Sequence, residues 1–424
     1  MNHLHVKYLL VGGGLASCSA ARAIRERDTE GSVLLVGQEI NRPYHRPPLS
    51  KAYLRREVPR DALFAIEPDW FPSHHVEMRT GRRVAHLDVS RCAATLDSGE
   101  EVSFDRLLLA TGSSPAHLNA PGANLPNLFT VRAVEDVGQL HNAIDKATRE
   151  GHRHDRGRGR VSVIGAGLLG VELAGSFTQL GLAVDLIVAH AHPWDRFAGE
   201  STGRFLTRFL ESKGVSVHLS SHPQRLEGDG RVQRVVLEPG RVLPCDFAVA
   251  AVGSVPNKDI LRGTPIAAEK AILVDEHCRT NVSDVYAAGD CCAIRDPLFG
   301  KYRWIDHWEN ALVTGALAGR NMAGANDAYS AVSTFSTEVF GLTTKVWGEA
   351  RFVDRRLVRG TPKMDAPAFV EIGVASDGRV AQVLAVGSAA EDPNLADLVA
   401  RRLPVDGNQE MLKDPAVPLS EILK

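Results

Sequence analysis

The chain has 424 residues, of which 44% are hydrophobic and 24% charged, and its formal net charge is −2 at pH 7. This length predicts two or three domains with sizeable cores, and the balanced charge argues against a general nucleic-acid or membrane-surface binder. Six scattered cysteines without a metal-like Cys-x-x-Cys motif predict reduced thiols in a cytosolic protein.

A glycine-rich turn near the N-terminus is the first informative segment. Residues 7–11 predict a strand, residues 11–17 read VGGGLAS, Ala20–Arg27 predicts a helix, and Val33–Val36 predicts a buried parallel strand. In this context the turn binds a dinucleotide pyrophosphate through close backbone approach and the N-terminus of the helix. Because glycines interrupt the N-terminal apolar stretch, it predicts a first strand and neither a signal peptide nor a membrane span.

The same pattern occurs a second time. Residues 163–172 read VIGAGLLGVE, Val161–Ile164 predicts a strand, Leu168–Leu180 a helix and Val184–Val188 the next strand. A single Gly-x-Gly-x-x-Gly is weak evidence, but two in the expected context indicate two dinucleotide sites. Two such sites in one polypeptide suggest electron transfer between two nucleotides.

Other segments predict the organisation around these turns. The apolar runs Leu107–Ala110 and Val285–Ala288 predict strands that end at a ligand crevice, before Thr111-Gly112 and Gly289-Asp290. Gly151–Arg160 is glycine-rich and basic and predicts a surface loop. From about Ala331 the pattern predicts a smaller α+β domain.

Several segments resemble one protein family. Residues 42–51 read RPYHRPPLSK and resemble the signature that follows the second strand in ferredoxin-reductase-like FAD/NAD(P)H flavoproteins. Three further segments match the family in the same order, namely Leu109–Gly112, Val252–Asn257 and Tyr286–Asp290. Asp306–Ala311 resembles apoptosis-inducing factor, a relative with the same fold, and Arg402–Val405 resembles putidaredoxin reductase. The resemblance covers nearly the whole chain.

The resemblance implies an α/β fold with two Rossmann-like domains, one for FAD and one for NAD(P), and a small C-terminal α+β domain. The implied FAD-binding domain is discontinuous and comprises residues 1–118 and 250–325. Residues 119–249 form the implied NAD(P)-binding domain, and residues 326–424 the C-terminal domain. The implied activity is hydride transfer from NAD(P)H to FAD, followed by electron transfer to a small iron–sulfur carrier of the ferredoxin or rubredoxin type.

The resemblance also assigns site residues. Lys51 matches the lysine that lies beside flavin N5 in relatives and pairs with a glutamate, here Glu172. Removing one member of such a pair costs about 3–5 kcal/mol if the pair is buried and about 0–1 kcal/mol if it is exposed. The cofactor-binding residues implied for FAD are Gly12, Gly14, Ser17, Glu39, Arg46, Lys51, Thr111, Gly112, Asp290 and Phe335, and those implied for NAD(P)H are Gly165, Gly167 and Gly170.

Three of the FAD residues have individual interpretations. Ser17 replaces the usual third glycine of the turn. Glu39 is the candidate for the adenosine ribose hydroxyls, with Gln38 as its competitor, although an exposed turn glutamate has the same pattern. Asp290 is implied to hydrogen-bond the ribityl or phosphate end of FAD from a helix N-terminus, where a plain N-cap aspartate is the alternative.

The second site departs from the NADH-binding pattern. Relatives that use NADH place an acid at the end of the next strand, where this chain has Val188. A carboxylate at about 4 Å from a 2′-phosphate adds repulsion of roughly 1–4 kcal/mol per unit charge, so its loss predicts weaker discrimination against NADPH. His190, His192 and Arg196 are candidate phosphate contacts, with a solvated loop as the alternative, and NADPH preference is a hypothesis.

Two further departures concern the flavin. Relatives carry Phe-Trp-Ser-Asp where residues 334–337 are Thr-Phe-Ser-Thr, so Phe335 either covers a flavin edge or is a core residue. Disulfide reductases of this fold carry a Cys-x-x-x-x-Cys motif after the first turn, but this chain has Ser50-Lys51. The adjacent Cys291 and Cys292 rarely suit a strain-free disulfide, so no redox role is expected of them.

The resemblance implies an acidic iron–sulfur partner that docks on basic residues. Candidates are Arg153, Arg156, Arg158 and Arg160, with a plain solvated insertion as the alternative. Two other functions stay open. One is a direct reductase of a small acceptor, of the monodehydroascorbate or quinone type, and the other is a flavoprotein with slow turnover that resembles apoptosis-inducing factor.

Overall fold

The computed structural model describes residues 4–153 and 157–424. Its strands are β1 Leu4–Val11, β2 Val33–Gly37, β3 Val76–Thr80, β4 Val84–Asp88, β5 Ala93–Leu96, β6 Glu101–Leu109, β7 Ser113–Pro115, β8 Leu128–Phe129, β9 Arg160–Ile164, β10 Ala183–Ile187, β11 Val215–His218, β12 Pro223–Glu227, β13 Arg234–Leu237, β14 Arg241–Pro244, β15 Phe247–Ala250, β16 Ser254–Pro256, β17 Ile272–Val274, β18 Val285–Ala287, β19 Cys292–Asp296, β20 Lys301–Trp304, β21 Thr334–Val339, β22 Leu342–Gly348, β23 Arg355–Thr361, β24 Ala368–Val374 and β25 Val380–Gly387. Its α-helices are α1 Leu15–Arg25, α2 Trp70–Ser73, α3 Val134–Arg153, α4 Leu168–Gln179, α5 Glu200–Ser212, α6 Trp308–Met322, α7 Leu395–Ala400, α8 Gln409–Lys413 and α9 Leu419–Ile422.

The chain forms two compact units, each assembled from separate segments. The first unit comprises Met1–His45, Arg60–Ser114 and Val255–Ser333, and the second comprises Arg46–Pro59, Pro115–Ser254 and Thr334–Lys424. Within residues 4–153 and 157–424, no helix has both the length and the apolar character needed to cross a membrane.

The first unit is built on a seven-stranded sheet. Its order is β3-β2-β1-β6-β5-β4, with β18 also paired to β6. β3, β2, β1, β6 and β18 run parallel, whereas β5 and β4 continue the sheet in antiparallel fashion. Strand β2 and the second half of β1 are continuous apolar runs because central parallel strands are buried on both faces, and Leu9, Leu10 and Leu34 are fully buried.

Helices α1 and α6 of the first unit pack with their backbones in close contact. A Cβ atom at Gly315 would overlap with the carbonyl oxygen of Ala16, and one at Gly319 would overlap with that of Ala20. Helix α1 begins at Leu15, directly after Gly14, and not at Ala20 as predicted. After Leu15 its first two turns consist of small residues, which carry little periodic signal but allow this contact.

The second unit contains a parallel sheet and two antiparallel ones. The parallel sheet has the order β11-β10-β9-β15-β8, and the smaller antiparallel sheet is β12-β13-β14. The C-terminal part contains the antiparallel sheet β21-β22-β25-β24-β23 together with α7, α8 and α9. Strands with helices after residue 331 are the α+β pattern predicted from the sequence.

The prediction for the segment before β9 needs correction. The predicted loop Gly151–Arg160 is shorter, because α3 continues to Arg153 and β9 begins at Arg160. Gly151 lies inside α3, at a position where a Cβ atom would overlap with the backbone of Arg158 and Gly159. Arg156 lies outside the described residues.

A pair of helical glycines tests the close packing of α1 and α6. We expect Gly319→Ala to destabilise the protein by about 1–3 kcal/mol, because the added methyl group overlaps with backbone. The matched control is Gly138→Ala in α3, where the residue is exposed and an added Cβ meets no described atom within 4 Å. This control should stabilise the protein by about 0.5–1 kcal/mol through helix propensity. Urea denaturation measures both changes, and equal effects would contradict the packing argument.

The six cysteines are all free, as predicted, and only Cys92 is exposed among them. Burial raises the pKa of the Cys18 and Cys245 thiols to about 12 and also raises those of Cys291 and Cys292. Since the thiolate is the reactive form, these buried groups are chemically quiet.

Thiol labelling tests this assignment. At pH 8 the native protein should react rapidly with Ellman's reagent at Cys92 alone, because buried thiols with raised pKa values stay protonated and shielded. All six should react after denaturation. The variant Cys92→Ser should lose the rapid phase, and a rapid phase that survives this substitution would point to a reactive thiol among the others.

Candidate functional site

The first glycine turn, Gly12–Ser17, joins β1 to α1 in the first unit. Gly12 has φ +127°, a conformation that favours glycine, and a Cβ atom there would overlap with the carbonyl oxygen of Ala110. The backbone N–H of Gly12 donates to Val36 O, and that of Ala110 donates to Val11 O. The turn is therefore fixed where the carboxyl ends of β1, β2 and β6 meet.

The second glycine turn, Gly165–Gly170, has the same construction in the second unit. Gly165 has φ +104°, and a Cβ atom there would overlap with the carbonyl oxygen of Ala251. A Cβ at Gly170 would overlap with the carbonyl oxygen of Gly165, so the third glycine is also required sterically. At the corresponding position the first turn accommodates Ser17.

The middle glycine of each turn is different. A Cβ added to Gly14 or Gly167 would meet no atom of the described residues within 4 Å. These glycines are the N-cap residues of α1 and α4, and they have no side chain with which to cap the N–H groups of the first turn. The protein's own packing does not require glycine here, whereas close approach of a pyrophosphate does, with the helix N–H groups and dipole stabilising its charge. Both turns therefore fit a dinucleotide.

Ser17 lies on the packed side of its helix. It is fully buried, and its Oγ has no hydrogen-bond partner among the described residues. Its side chain thus occupies the position at which the third glycine of the motif permits close helix–strand packing. Its predicted contact with the pyrophosphate stays a prediction.

Two sequence segments predicted separately meet at the end of β6. Thr111 Oγ1 donates to Asn257 O at 2.6 Å, and Asn257 Nδ2 donates to Thr111 O at 2.9 Å. The N–H of Asn257 donates to Gly112 O at 2.9 Å, and Gly112 has φ +71°. These bonds fix the backbone of Thr111, Gly112 and Asn257 against one another beside the glycine turn.

Asp290 follows β18 on the same sheet. Its Oδ2 accepts from Ser113 Oγ at 2.9 Å, and its backbone O accepts from Trp304 Nε1 at 2.7 Å. The predicted helix is only the single 3-10 turn Gly289–Cys291, which contains Asp290, and β19 begins directly after it at Cys292. Apolar residues directly after the turn pair with β17 and β20, which favours a strand.

Glu39 lies just after β2 and is half-buried. Its Oε2 accepts a hydrogen bond from Tyr44 OH at 2.5 Å, and Gln38 beside it is exposed. Tyr44 comes from the RPYHRPPLSK segment, so this segment holds the carboxylate. This anchoring favours Glu39 over Gln38 as the candidate for the ribose.

In the second unit, a carboxylate is buried among donors from distant parts of the chain. Glu172 on α4 accepts from Lys51 Nζ at 2.6 Å and from Thr337 Oγ1 at 2.6 Å through Oε1, and from Ser50 Oγ at 2.5 Å through Oε2. The side chains of Glu172 and Lys51 are 9% and 20% exposed. We call these four residues the Glu172 cluster. The sequence predicted the Lys51–Glu172 pair, and the structure brings it together in buried surroundings.

The segment carrying Lys51 is held by neighbours on the same unit. Ser176 Oγ donates to Ser50 O at 2.6 Å and accepts from Arg55 Nη1 at 3.1 Å. Arg46 donates from Nη1 to Arg132 O.

Phe335 is buried and packs edge-to-face on Phe197 with ring centroids 5.2 Å apart, which accounts for its burial as a core residue. Its predicted contact with flavin stays a prediction.

The loop after β10 folds back onto the second glycine turn, because the N–H of Trp194 donates to Ala166 O at 3.0 Å. Val188 is buried, and His192 is largely so. Asp195 carries a carboxylate within 3.6 Å of His190 Nδ1 and 3.8 Å of His192 Nε2. The loop therefore contains an acid that sequence position alone did not indicate.

Three other contributors were missed in the sequence. Ser50 and Thr337 complete the Glu172 cluster in the second unit. In the first unit, Trp308 donates from Nε1 to His45 Nδ1 at 3.2 Å. Burial lowers the pKa of His45, which favours the neutral ring that can accept this bond. Ser50 adjoins Lys51 in the recognised segment, Thr337 ends the divergent segment 334–337, and Trp308 lies in the matching segment 306–311. These positions marked the segments but did not indicate the partners of the three side chains.

The variant Lys51→Met tests the burial of the pair. It should lower the free energy of unfolding by about 3 kcal/mol, the lower end of the range for breaking a buried pair, because Glu172 keeps two hydroxyl donors. Urea denaturation measures the loss. The matched control is Lys413→Met, whose partner Glu410 is 84% exposed at the side chain and whose removal should leave stability unchanged. A Lys51 variant as stable as this control would contradict the buried-pair assignment.

Comparisons with known proteins agree with this geometry. A family model described as "Pyridine nucleotide-disulphide oxidoreductase" matches residues 6–315. The chain is 30% identical over 417 residues to the biphenyl dioxygenase system ferredoxin–NAD(+) reductase component of Paraburkholderia xenovorans (strain LB400), covering 98% of each chain. It is 30% identical to human apoptosis-inducing factor 3, covering 91% of this chain and 61% of that protein.

A solved structure is similar over the whole chain. The covalent putidaredoxin reductase–putidaredoxin complex gives a TM-score of 0.90 at 26% identity, covering 99% of this chain and 98% of that one. These matches confirm the predicted resemblance, the predicted α/β class and the oxidoreductase class. The chain belongs to the pyridine nucleotide-disulphide oxidoreductase family.

Proposed function

We propose that this protein is an FAD-dependent NAD(P)H oxidoreductase of the ferredoxin reductase type, which passes electrons to a small iron–sulfur protein. The observation that carries the proposal is the pair of glycine turns, each with an open middle glycine at an uncapped helix N-terminus. Ferredoxin and rubredoxin reductases among the relatives support the class of acceptor.

The proposed FAD-binding domain comprises residues 1–118 and 250–325, the NAD(P)-binding domain residues 119–249, and the C-terminal domain residues 326–424. FAD is held at Gly12, Gly14, Glu39, Thr111, Gly112 and Asp290, with Ser17, Arg46, Lys51 and Phe335 as further contacts. NAD(P)H is held at Gly165, Gly167 and Gly170. The fixed backbone of Thr111 and Gly112 supports this assignment, because rigid groups bind with less ordering cost.

When bound, FAD supplies the conversion of a two-electron hydride donor into single electrons that an iron–sulfur protein accepts. The chain supplies binding, orientation and charge. Helices α1 and α4 present N-terminal N–H groups to the two pyrophosphates. Glu172 holds the Lys51 ammonium in one position, and Ser50 and Thr337 fix Glu172. Lys51 and Glu172 are the proposed catalytic pair.

The absence of a cysteine motif separates this proposal from disulfide reduction, despite the name of the family. Ser50-Lys51 occupies the segment after the first nucleotide unit, and the buried cysteines have raised pKa values. The free cysteines also support a cytoplasmic location. The second candidate function is that of a flavoprotein with slow turnover and a long-lived reduced state, and the similarity to a protein named apoptosis-inducing factor 3 keeps it open.

Anaerobic stopped-flow reduction of the purified protein tests the proposal. We expect NADH or NADPH to bleach the flavin absorbance rapidly, because hydride transfer removes the oxidised chromophore. The comparison of the two donors also tests the hypothesis that the missing acid at Val188 favours NADPH, and equal or better use of NADH would refute it.

The variant Lys51→Met should slow the bleaching, whereas Lys413→Met should leave it unchanged, since that lysine belongs to an exposed pair. Slow bleaching of the unmodified protein by both donors would favour the second candidate function. Absence of bleaching with FAD bound would refute the reductase proposal.

A further inference from the structure

Thr337 on β21 is the part of the Glu172 cluster whose partner the sequence did not indicate, although it ends the divergent segment 334–337. Thr337 is 3% exposed, and its Oγ1 donates to Glu172 Oε1 at 2.6 Å. The same oxygen accepts from Lys51 Nζ at 2.6 Å. A buried hydroxyl that donates to a carboxylate makes a charge-assisted bond, which is stronger than a neutral one.

The hydroxyl acts on an oxygen that also determines where Lys51 lies. Oε2 is held by Ser50 and Oε1 by Thr337 and Lys51, so the two hydroxyls fix both ends of the carboxylate. A carboxylate fixed at both ends cannot rotate without losing a bond. The ammonium that pairs with it is therefore restricted as well.

The chemical type of this donor also sets the charge of the cluster. Lys51 and Glu172 contribute one charge of each sign, and a threonine adds none, so the net charge is zero with both groups ionised. A carboxylate at position 337 would place a second negative charge beside one ammonium, in surroundings where screening by water is weak.

We propose that Thr337 is a positioning residue for the reductase reaction: its hydroxyl fixes Glu172 and thereby Lys51, and its neutrality keeps the cluster without net charge. This inference rests on the proposed function, because it concerns the proposed catalytic pair. It adds a residue of the C-terminal part of the chain to the machinery of hydride transfer.

The sheet itself provides a matched control. Thr344 on β22 lies directly opposite Thr337 in the register, is 1% exposed, and its Oγ1 has no hydrogen-bond partner among the residues described. The variants Thr337→Val and Thr344→Val therefore make the same chemical change at paired, buried positions. They differ in whether a bond to Glu172 is lost.

Stopped-flow reduction of the purified full-length holoprotein gives the first readout. Thr337→Val should slow flavin reduction about tenfold, in keeping with loss of a hydrogen bond to a charged group. Thr337→Ser retains the hydroxyl and should restore the rate to within about twofold, and Thr344→Val should match the unmodified protein. Reduction of Thr337→Val as fast as that of Thr344→Val, or of Thr337→Ser as slow as that of Thr337→Val, would overturn the proposal.

The flavin midpoint potential, measured by equilibration with a reference dye, gives a second readout that a purely structural role would not move. Thr337→Asp should shift the potential to a more negative value, because added negative charge disfavours added electrons. An unchanged potential in a folded, flavin-loaded Thr337→Asp variant would overturn the charge argument.

A third readout does not depend on the reaction. Urea denaturation gives the loss in free energy of unfolding for Glu172→Gln, for Thr337→Val and for the double variant. The loss in the double variant should differ from the sum of the two single losses, because the two side chains are bonded. Additive losses would contradict the contact itself.

Lys51→Met separates this inference from the proposed function. If that variant is reduced as fast as the unmodified protein, the catalytic assignment of Lys51 fails and the role of Thr337 fails with it. If Lys51→Met is slow but Thr337→Val is not, only the role of Thr337 is refuted.

Discussion

In each unit, the first glycine of the turn lies against the carbonyl at the end of a neighbouring parallel strand, and the rest of the site depends on this contact. Ala110 O meets Gly12 in the first unit, and Ala251 O meets Gly165 in the second. The contact fixes where the helix begins, and so where its unpaired N–H groups point. The middle glycine then leaves open space at the helix end. Two sheets with unrelated flanking sequences thus present the same kind of anion site.

The Glu172 cluster solves a second problem, which is how to keep a charged pair in buried surroundings. An ammonium offers a carboxylate only part of the hydrogen bonding that water provides, and the unmet remainder is costly. Here two hydroxyl groups supply the missing donors. The donors come from the segment of the recognised signature and from the C-terminal sheet, so the pair is built by three separate parts of one unit.

Much of the fold could be predicted because it depends on residues that are adjacent in the chain. The strands next to both glycine turns, the helix α4 and the change of pattern after residue 331 all follow from local periodicity and from glycine positions. The errors were local as well. The start of helix α1 was missed because the residues after Leu15 are small and carry little periodic signal. The turn at Asp290 leads into a strand because the following apolar residues pair with neighbours.

The sequence by itself determined the two nucleotide turns, the pairing of Lys51 with Glu172 through resemblance to a family, and the lack of a cysteine pair for disulfide chemistry. Only the tertiary structure decided which groups surround that pair. Thr337 and Glu172 are 165 residues apart, and Lys51 and Glu172 are 121 apart. Nothing in a local pattern states which face of a distant strand will meet a given helix. That choice is made by the packing of whole sheets and helices, where the burial of many side chains outweighs the preference of any single one.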